Sequence, residues 1–226
     1  MLDPVELTLR LPVLLLALTV HEFSHAYSAY RLGDPTAYRL GRCSLNPARH
    51  LDPLGTLCLL FAPIGWAKPV PVNPLNLKNP GRDDILISAA GPFSNLVQAS
   101  LYAILLRLMG AYATGIAGAV GENGLRAAVL LGFFGVLINI GLAVFNMIPA
   151  YPLDGFHVLS NLATGRSQER FRGMARYGPF IIIGLVLLSN TGLDLLGTVI
   201  DPVQEFFIFR LAGEDAIRVL GWALET

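Results

Sequence analysis

Residues 16–34 read LALTVHEFSHAYSAYRLGD. Its first five positions continue an apolar run, and His21, Glu22 and His25 follow with no helix-breaking residue between them. Helical residues four apart share a face, so His21 and His25 can present two ring nitrogens to one point. Ionisable groups at the edge of a membrane-length segment are costly unless they face an internal cavity, a partner or an ion. The pattern therefore predicts a helix that carries chemistry as well as one that spans.

The rest of the chain supplies the lipid setting. Of 226 residues, 54% are hydrophobic and 14% are charged, with a mean hydropathy of +0.57. Soluble domains carry nearer a quarter charged residues. Sixteen basic and sixteen acidic residues cancel, and no basic domain points to nucleic acid. Asp3 and Glu6 ahead of Arg10 do not make the basic start of a removable leader. Cys43 and Cys58 lack paired metal spacing and read as free buried thiols.

Four segments are long and apolar enough to span: Pro4 to about Tyr30, Ile85 to about Met109, Leu125 to Ile148, and Tyr177 to Leu196. Pro12 predicts a local bend in the first. Between the first two, LGTLCLLFAPIGWA (54–67) is apolar but broken by Gly55, Pro63 and Gly65. It reads as a short membrane-associated hairpin or re-entrant segment. Gly110 to Gly121 reads as a turn. The expected fold class is an all-α polytopic membrane protein, with a core over 1–200 and an amphipathic or interfacial tail over 201–226. Eleven of the sixteen Lys and Arg residues fall in 31–82 and 151–176, while 110–121 has none. The positive-inside rule then makes those two connections cytoplasmic, together with the ends of the first and third spans.

Two histidines and a nearby carboxylate suit zinc, which usually takes a third protein ligand and leaves one position open. Glu22, beside His21, is placed to take a proton from a water attacking a carbonyl. No further His or Glu follows soon after His25. Of the remaining candidates, His50 and Asp52 lie in a loop, whereas Asp154 and His157 follow the third span. Asp154 is the stronger choice. It follows Pro149 and Pro152, and Gly155 permits a close backbone approach where the first and third spans end together. The alternative is that Asp154 merely caps a short helix.

The quoted motif is one of five that occur in succession. HEFSHAYSAYRLGDPTA (21–37), GRCSLNPARHLDPLGTL (41–57), GWAKPVPVNP (65–74), AAGPFSNL (89–96) and NMIPAYPLDG (146–155) together resemble the site-2 protease family of intramembrane zinc metallopeptidases. The likeness is to its short bacterial branch, which has no inserted peptide-binding domain. It implies one zinc ion per chain on His21, His25 and Asp154, with Glu22 as general base or acid. It also implies that Asn146 lies near the active site and contacts the peptide carbonyl. Gly91 would permit close helix packing, and Asn95 would orient neighbouring polar groups. Trp66, Lys68, Val70 and Val72 belong to a membrane-associated strand or loop beside the substrate path. His50 is expected to support the site or to bond within its own loop, and His157 to lie at a polar rim.

The function expected on this basis is zinc-dependent endopeptidase cleavage in or near transmembrane segments of membrane proteins. The expected setting is the bacterial cytoplasmic membrane, with the site toward the cytoplasm. The partners are a transmembrane protein or peptide and the bilayer, and the sequence is compatible with a homo-oligomer. A metal transporter and a non-catalytic metal-binding membrane protein are the alternatives. The Glu22 spacing and the clustering of ligands near one face argue against both.

Overall fold

The computed structural model describes residues 4–55, 65–189 and 193–225, and the apolar hairpin expected around 56–64 lies outside them. Helix α1 runs Pro4–Arg31 and continues through Pro12. A single-turn α2, Thr36–Arg39, follows. The long helices α3, Pro80–Ala111, and α4, Ala113–Asn146, make an antiparallel pair joined at Tyr112. Short helices α5, Asp154–Leu162, and α6, Arg166–Met174, lead through one 3-10 turn into α7, Gly178–Ser189. Helix α8, Gly197–Glu205, a π-helical stretch Phe206–Ala212, and α9, Glu214–Glu225, complete the described chain. Among the described residues the only β pairing is one isolated antiparallel bridge, Leu51 with Ala67.

Four helical segments are long and apolar enough to cross a membrane: Leu7–Arg31, Pro80–Ala111, Ala113–Asn146 and Arg166–Ser189. The all-α polytopic expectation holds. Two boundaries differ from it. The 110–121 stretch is helical over most of its length, because its Ala-rich sequence continues α4 toward Tyr112; Tyr112 itself (φ −115°, ψ 23°) and Gly121 (φ 78°, ψ 165°) leave helical geometry. The fourth helical segment begins at Arg166, since the polar α6 leads through the 3-10 turn Ala175–Tyr177 into α7.

Hydroxyls inside α1 bond within the helix: Thr19 donates to the Leu15 carbonyl, Ser24 to Val20 and Ser28 to Ser24. Each of these hydroxyls thereby spends its proton inside its own helix. The main core joins Ala99, Ala103 and Leu106 of α3 to Val129, Phe134 and Ile140 of α4, with Ala216, Leu220 and Ala223 of α9. Small residues let these backbones approach closely, which is how helices associate where lipid removes the hydrophobic drive. Phe180, Ile183 and Leu187 of α7 are exposed, an apolar surface suited to lipid.

The loop after α1 is fixed by one carboxylate. Asp34 is fully buried and accepts from the Thr36 N–H and hydroxyl, the Asn73 N–H and the Asn76 amide. It thereby ties the end of α1 to residues 73–76. Burial pushes its carboxyl up, but the bonds from Thr36, Asn73 and Asn76 outweigh that and hold it below the usual range. A depressed folded value means that the stabilisation is present above the unfolded pKa of about 4 and fades as pH falls through the folded value. Asp34→Ala should cost on the order of 3 kcal/mol by orphaning several donors. Hydrogen exchange of residues 72–77 is expected to accelerate in that variant at neutral pH, and in the parent only below about pH 4. Unchanged exchange in Asp34→Ala would remove this anchoring role.

Candidate metal centre

Helix α1 puts His21 and His25 one turn apart, both buried, with ring centroids 4.6 Å apart and planes at 82°. Their Nε2 atoms face each other at 3.0 Å. Asp154, at the start of α5, completes the group: Oδ2 lies 3.3 Å from His21 Nε2 and Oδ1 lies 3.3 Å from His25 Nε2. All three donors fall within 4.8 Å of one another. Ligands ~2.0–2.1 Å from a tetrahedral zinc are separated by ~3.3 Å. Each histidine nitrogen therefore lies at about a ligand–ligand separation from one Asp154 oxygen, and the three residues together fit a zinc site. Asp154 Oδ2 is buried with no hydrogen-bond partner among the described residues, which also fits a ligand atom.

Two glycines make the convergence possible. A Cβ on Gly91 would sit 2.3 Å from His25 Nε2 and 2.7 Å from His21 Cε1, so the imidazoles lie directly on the α3 backbone. A Cβ on Gly155 would sit 2.1 Å from the Met147 carbonyl oxygen, so only glycine lets the start of α5 fold onto the end of α4. Pro149 and Pro152 keep α4 from running on, and the chain reverses at the point where Asp154 can face α1.

The outer faces of both imidazoles are committed. His25 Nδ1 lies 2.7 Å from the Ile87 carbonyl, and His21 Nδ1 lies 2.6 Å from Asn95 Oδ1. The Asn95 orientation follows from its other contacts. Asn139 Nδ2 donates to the Gly135 carbonyl at 2.9 Å, which turns Asn139 Oδ1 toward Asn95 Nδ2 at 2.8 Å. Asn95 therefore offers its oxygen to His21. Each histidine carries its proton on Nδ1 and keeps the Nε2 lone pair for an ion. Asn139 was not among the expected site residues. The available signal was one Asn within the apolar GVLINIGL (135–142).

Other expected residues make their hydrogen bonds and packing contacts elsewhere than with the three donors. Asn146 donates its amide to the Leu142 carbonyl of its own helix. His50 is 1% exposed; its Nε2 lies 2.7 Å from the Ser44 carbonyl and its own carbonyl accepts from Lys68, so it braces the loop. His157 pairs with Asp84 at 3.3 Å, and that carboxylate pushes it up. Trp66 and Lys68 are exposed and Val70 is half-buried, while Val72 packs against the small cluster of Ala29, Leu77 and Ile87. Cys43 is a free thiol, and Cys58 lies outside the described residues.

The profile of peptidase family M50 matches residues 112–187, which include Asp154. The chain is 39% identical over 181 residues to YwhC of Bacillus subtilis (strain 168), covering 79% of this chain and 80% of that one. The chain belongs to peptidase family M50. Identity to Rip2 of Mycolicibacterium smegmatis is 31% over 76% of this chain and 64% of the relative. To Rip2 of Mycobacterium tuberculosis (strain H37Rv) it is 28%, over 88% and 72%. All three relatives bear the name "Putative zinc metalloprotease". No solved structure gives a significant match. This M50 chain is a multi-pass zinc peptidase, and His21, His25 and Asp154 form a single site able to hold one zinc ion.

Proposed function

We propose that this M50 peptidase cuts peptide bonds within or beside transmembrane segments, with Glu22 as the proton-transfer group. The observation that carries the reading is the three-donor cluster set among membrane-length helices, with Glu22 adjoining His21. Zinc, when bound there, supplies a Lewis acid toward water and the scissile carbonyl. Glu22 accepts the proton of the attacking water and returns it to the leaving amine. Its carboxylate is 12% exposed, sheltered yet within reach of entering water. Asn146, after leaving its bond to Leu142, donates to the substrate carbonyl. A substrate helix must unwind locally, because its carbonyls are otherwise engaged in i to i−4 bonds.

Trp66, Lys68 and Val70 border the substrate in this reading, while Val72 anchors the segment. The wild-type protein in proteoliposomes, given a model transmembrane peptide, should cleave it, lose cleavage to a chelator and regain it with zinc. Zinc flux without cleavage would support a transporter, and zinc binding alone a non-catalytic protein. Either result would overturn the reading.

The site also belongs on the cytoplasmic side, as the clustered basic residues argue. Reporter fusions after Arg49 and Arg166 should report cytoplasm, and one after Ala117 the opposite side. Opposite signals from 49 and 166 would break the four-span topology.

A further inference from the structure

We infer that Arg42 is a positioning residue for cleavage, one that fixes residues 68–69 relative to Glu22 and so sets the line of the substrate backbone. The inference rests on the reading that 66–72 borders the substrate. Arg42 follows the turn at Gly41, and its side chain is 5% exposed. A guanidinium so buried is costly unless its donors are used. Its Nη1 donates to the Pro69 carbonyl at 3.0 Å and its Nη2 to the Lys68 carbonyl at 2.5 Å. The same Nη2 lies 3.9 Å from Glu22 Oε2. That separation is an ion-pair contact and too long for a hydrogen bond. Arg42 therefore stands in ion-pair contact with the proposed base while one N–H from each Nη goes to the two carbonyls, and its Nε is buried without a hydrogen-bond partner among the described residues.

The bonding of the segment shows what this accomplishes. Ala67 bridges Leu51, and the Lys68 N–H donates to the His50 carbonyl at 2.7 Å. Pro69 and Pro71 have no N–H to give. With the carbonyls of 68 and 69 held by Arg42, Val70 has the only N–H in 69–71, and it has no backbone partner among the described residues. An extended substrate thus meets a single main-chain donor whose position is set by a two-pronged bond next to Glu22. A lysine would keep the charge but supply a point donor in place of a fork. Loss of the fork lets the segment slide, and the substrate slides with it.

The test uses the full chain in proteoliposomes, with Cys43 and Cys58 replaced by serine, Val70→Cys introduced and Glu22→Gln as the trap. The probe is a model transmembrane peptide with single cysteines placed in turn along its cleavage region. In this background Val70→Cys should crosslink to one or two peptide positions. Arg42→Gln should spread those crosslinks over neighbouring positions. With Glu22 intact, cleavage should shift to adjacent bonds and kcat fall about 10²-fold, more than KM rises. Zinc content should stay at the parent level. Arg42→Lys should give the same changes in weaker form, and it decides the matter if Arg42→Gln does not fold. Sharp, unshifted crosslinks and an unchanged cleavage site in the Arg42 variants would overturn the inference while leaving the substrate path intact. Absence of any Val70→Cys crosslink in the Arg42 parent would overturn the path, and the inference with it.

Discussion

Glu22→Gln is expected to yield a folded, zinc-loaded protein whose turnover falls about 10²- to 10⁴-fold. Glutamine keeps the size and most of the polarity of the side chain but cannot accept the water's proton. Zinc should remain, because the donors of His21, His25 and Asp154, able to hold the ion, converge without Glu22. The fold should also remain. Glu22 is not fully buried, and its contact with Arg42 is at 3.9 Å, so no buried hydrogen bond is broken. The measurement is kcat on a transmembrane peptide, with metal content by elemental analysis of the same sample. Turnover within tenfold of wild type would place the base elsewhere. Comparative membrane proteomics of cells carrying wild type and Glu22→Gln should show the natural substrates accumulating uncut.

The part of this site carried by periodicity was legible in the sequence. His21 and His25 four apart in an uninterrupted helix must share a face, and the structure places them so. Asp154 was legible from punctuation: two prolines and Gly155 mark a sharp reversal at the membrane edge, where a close backbone approach is needed. The resemblance added Gly91 and Asn95, which prove to lie against the two imidazoles. Asn139 and Arg42 stayed hidden for a physical reason. Each acts through a contact with a residue distant in sequence, at separations of 44 and 27 positions. No local pattern encodes which partner a lone polar residue meets. The misread 110–121 stretch shows the opposite error. Glycine and low charge suggest a turn in water, but Ala113 onward keeps its helix and only one glycine adopts positive φ. The tail shows a third case. Ala212, Ala216, Leu220 and Ala223 make a visible helical stripe, yet its partner surface on α3 and α4 becomes evident only in three dimensions.

The metal centre allows a prediction that separates ligation from orientation. His21→Ala, His25→Ala and Asp154→Ala should each bind zinc too weakly to retain it through purification, since two remaining donors make a poor site for an ion that takes three protein ligands. Asn95→Ala should weaken zinc affinity about 10- to 100-fold, because His21 loses the acceptor that keeps its proton on Nδ1. Asn139→Ala reaches the ion only through Asn95. Without the Asn139 oxygen, the Asn95 amide is free to turn its NH₂ toward His21, which favours the tautomer with hydrogen on Nε2. The double variant should then be scarcely worse than Asn95→Ala alone, since both changes break one line of bonds. Asn95→Asp, which still offers an oxygen to Nδ1, should bind zinc more tightly than Asn95→Ala. Competition with a zinc chelator of known affinity measures all four variants without reference to cleavage. Full zinc occupancy in folded Asp154→Ala would strike that residue from the ligands. Additive losses for the Asn95 and Asn139 changes would mean that Asn139 supports the fold and leaves the His21 tautomer to other contacts.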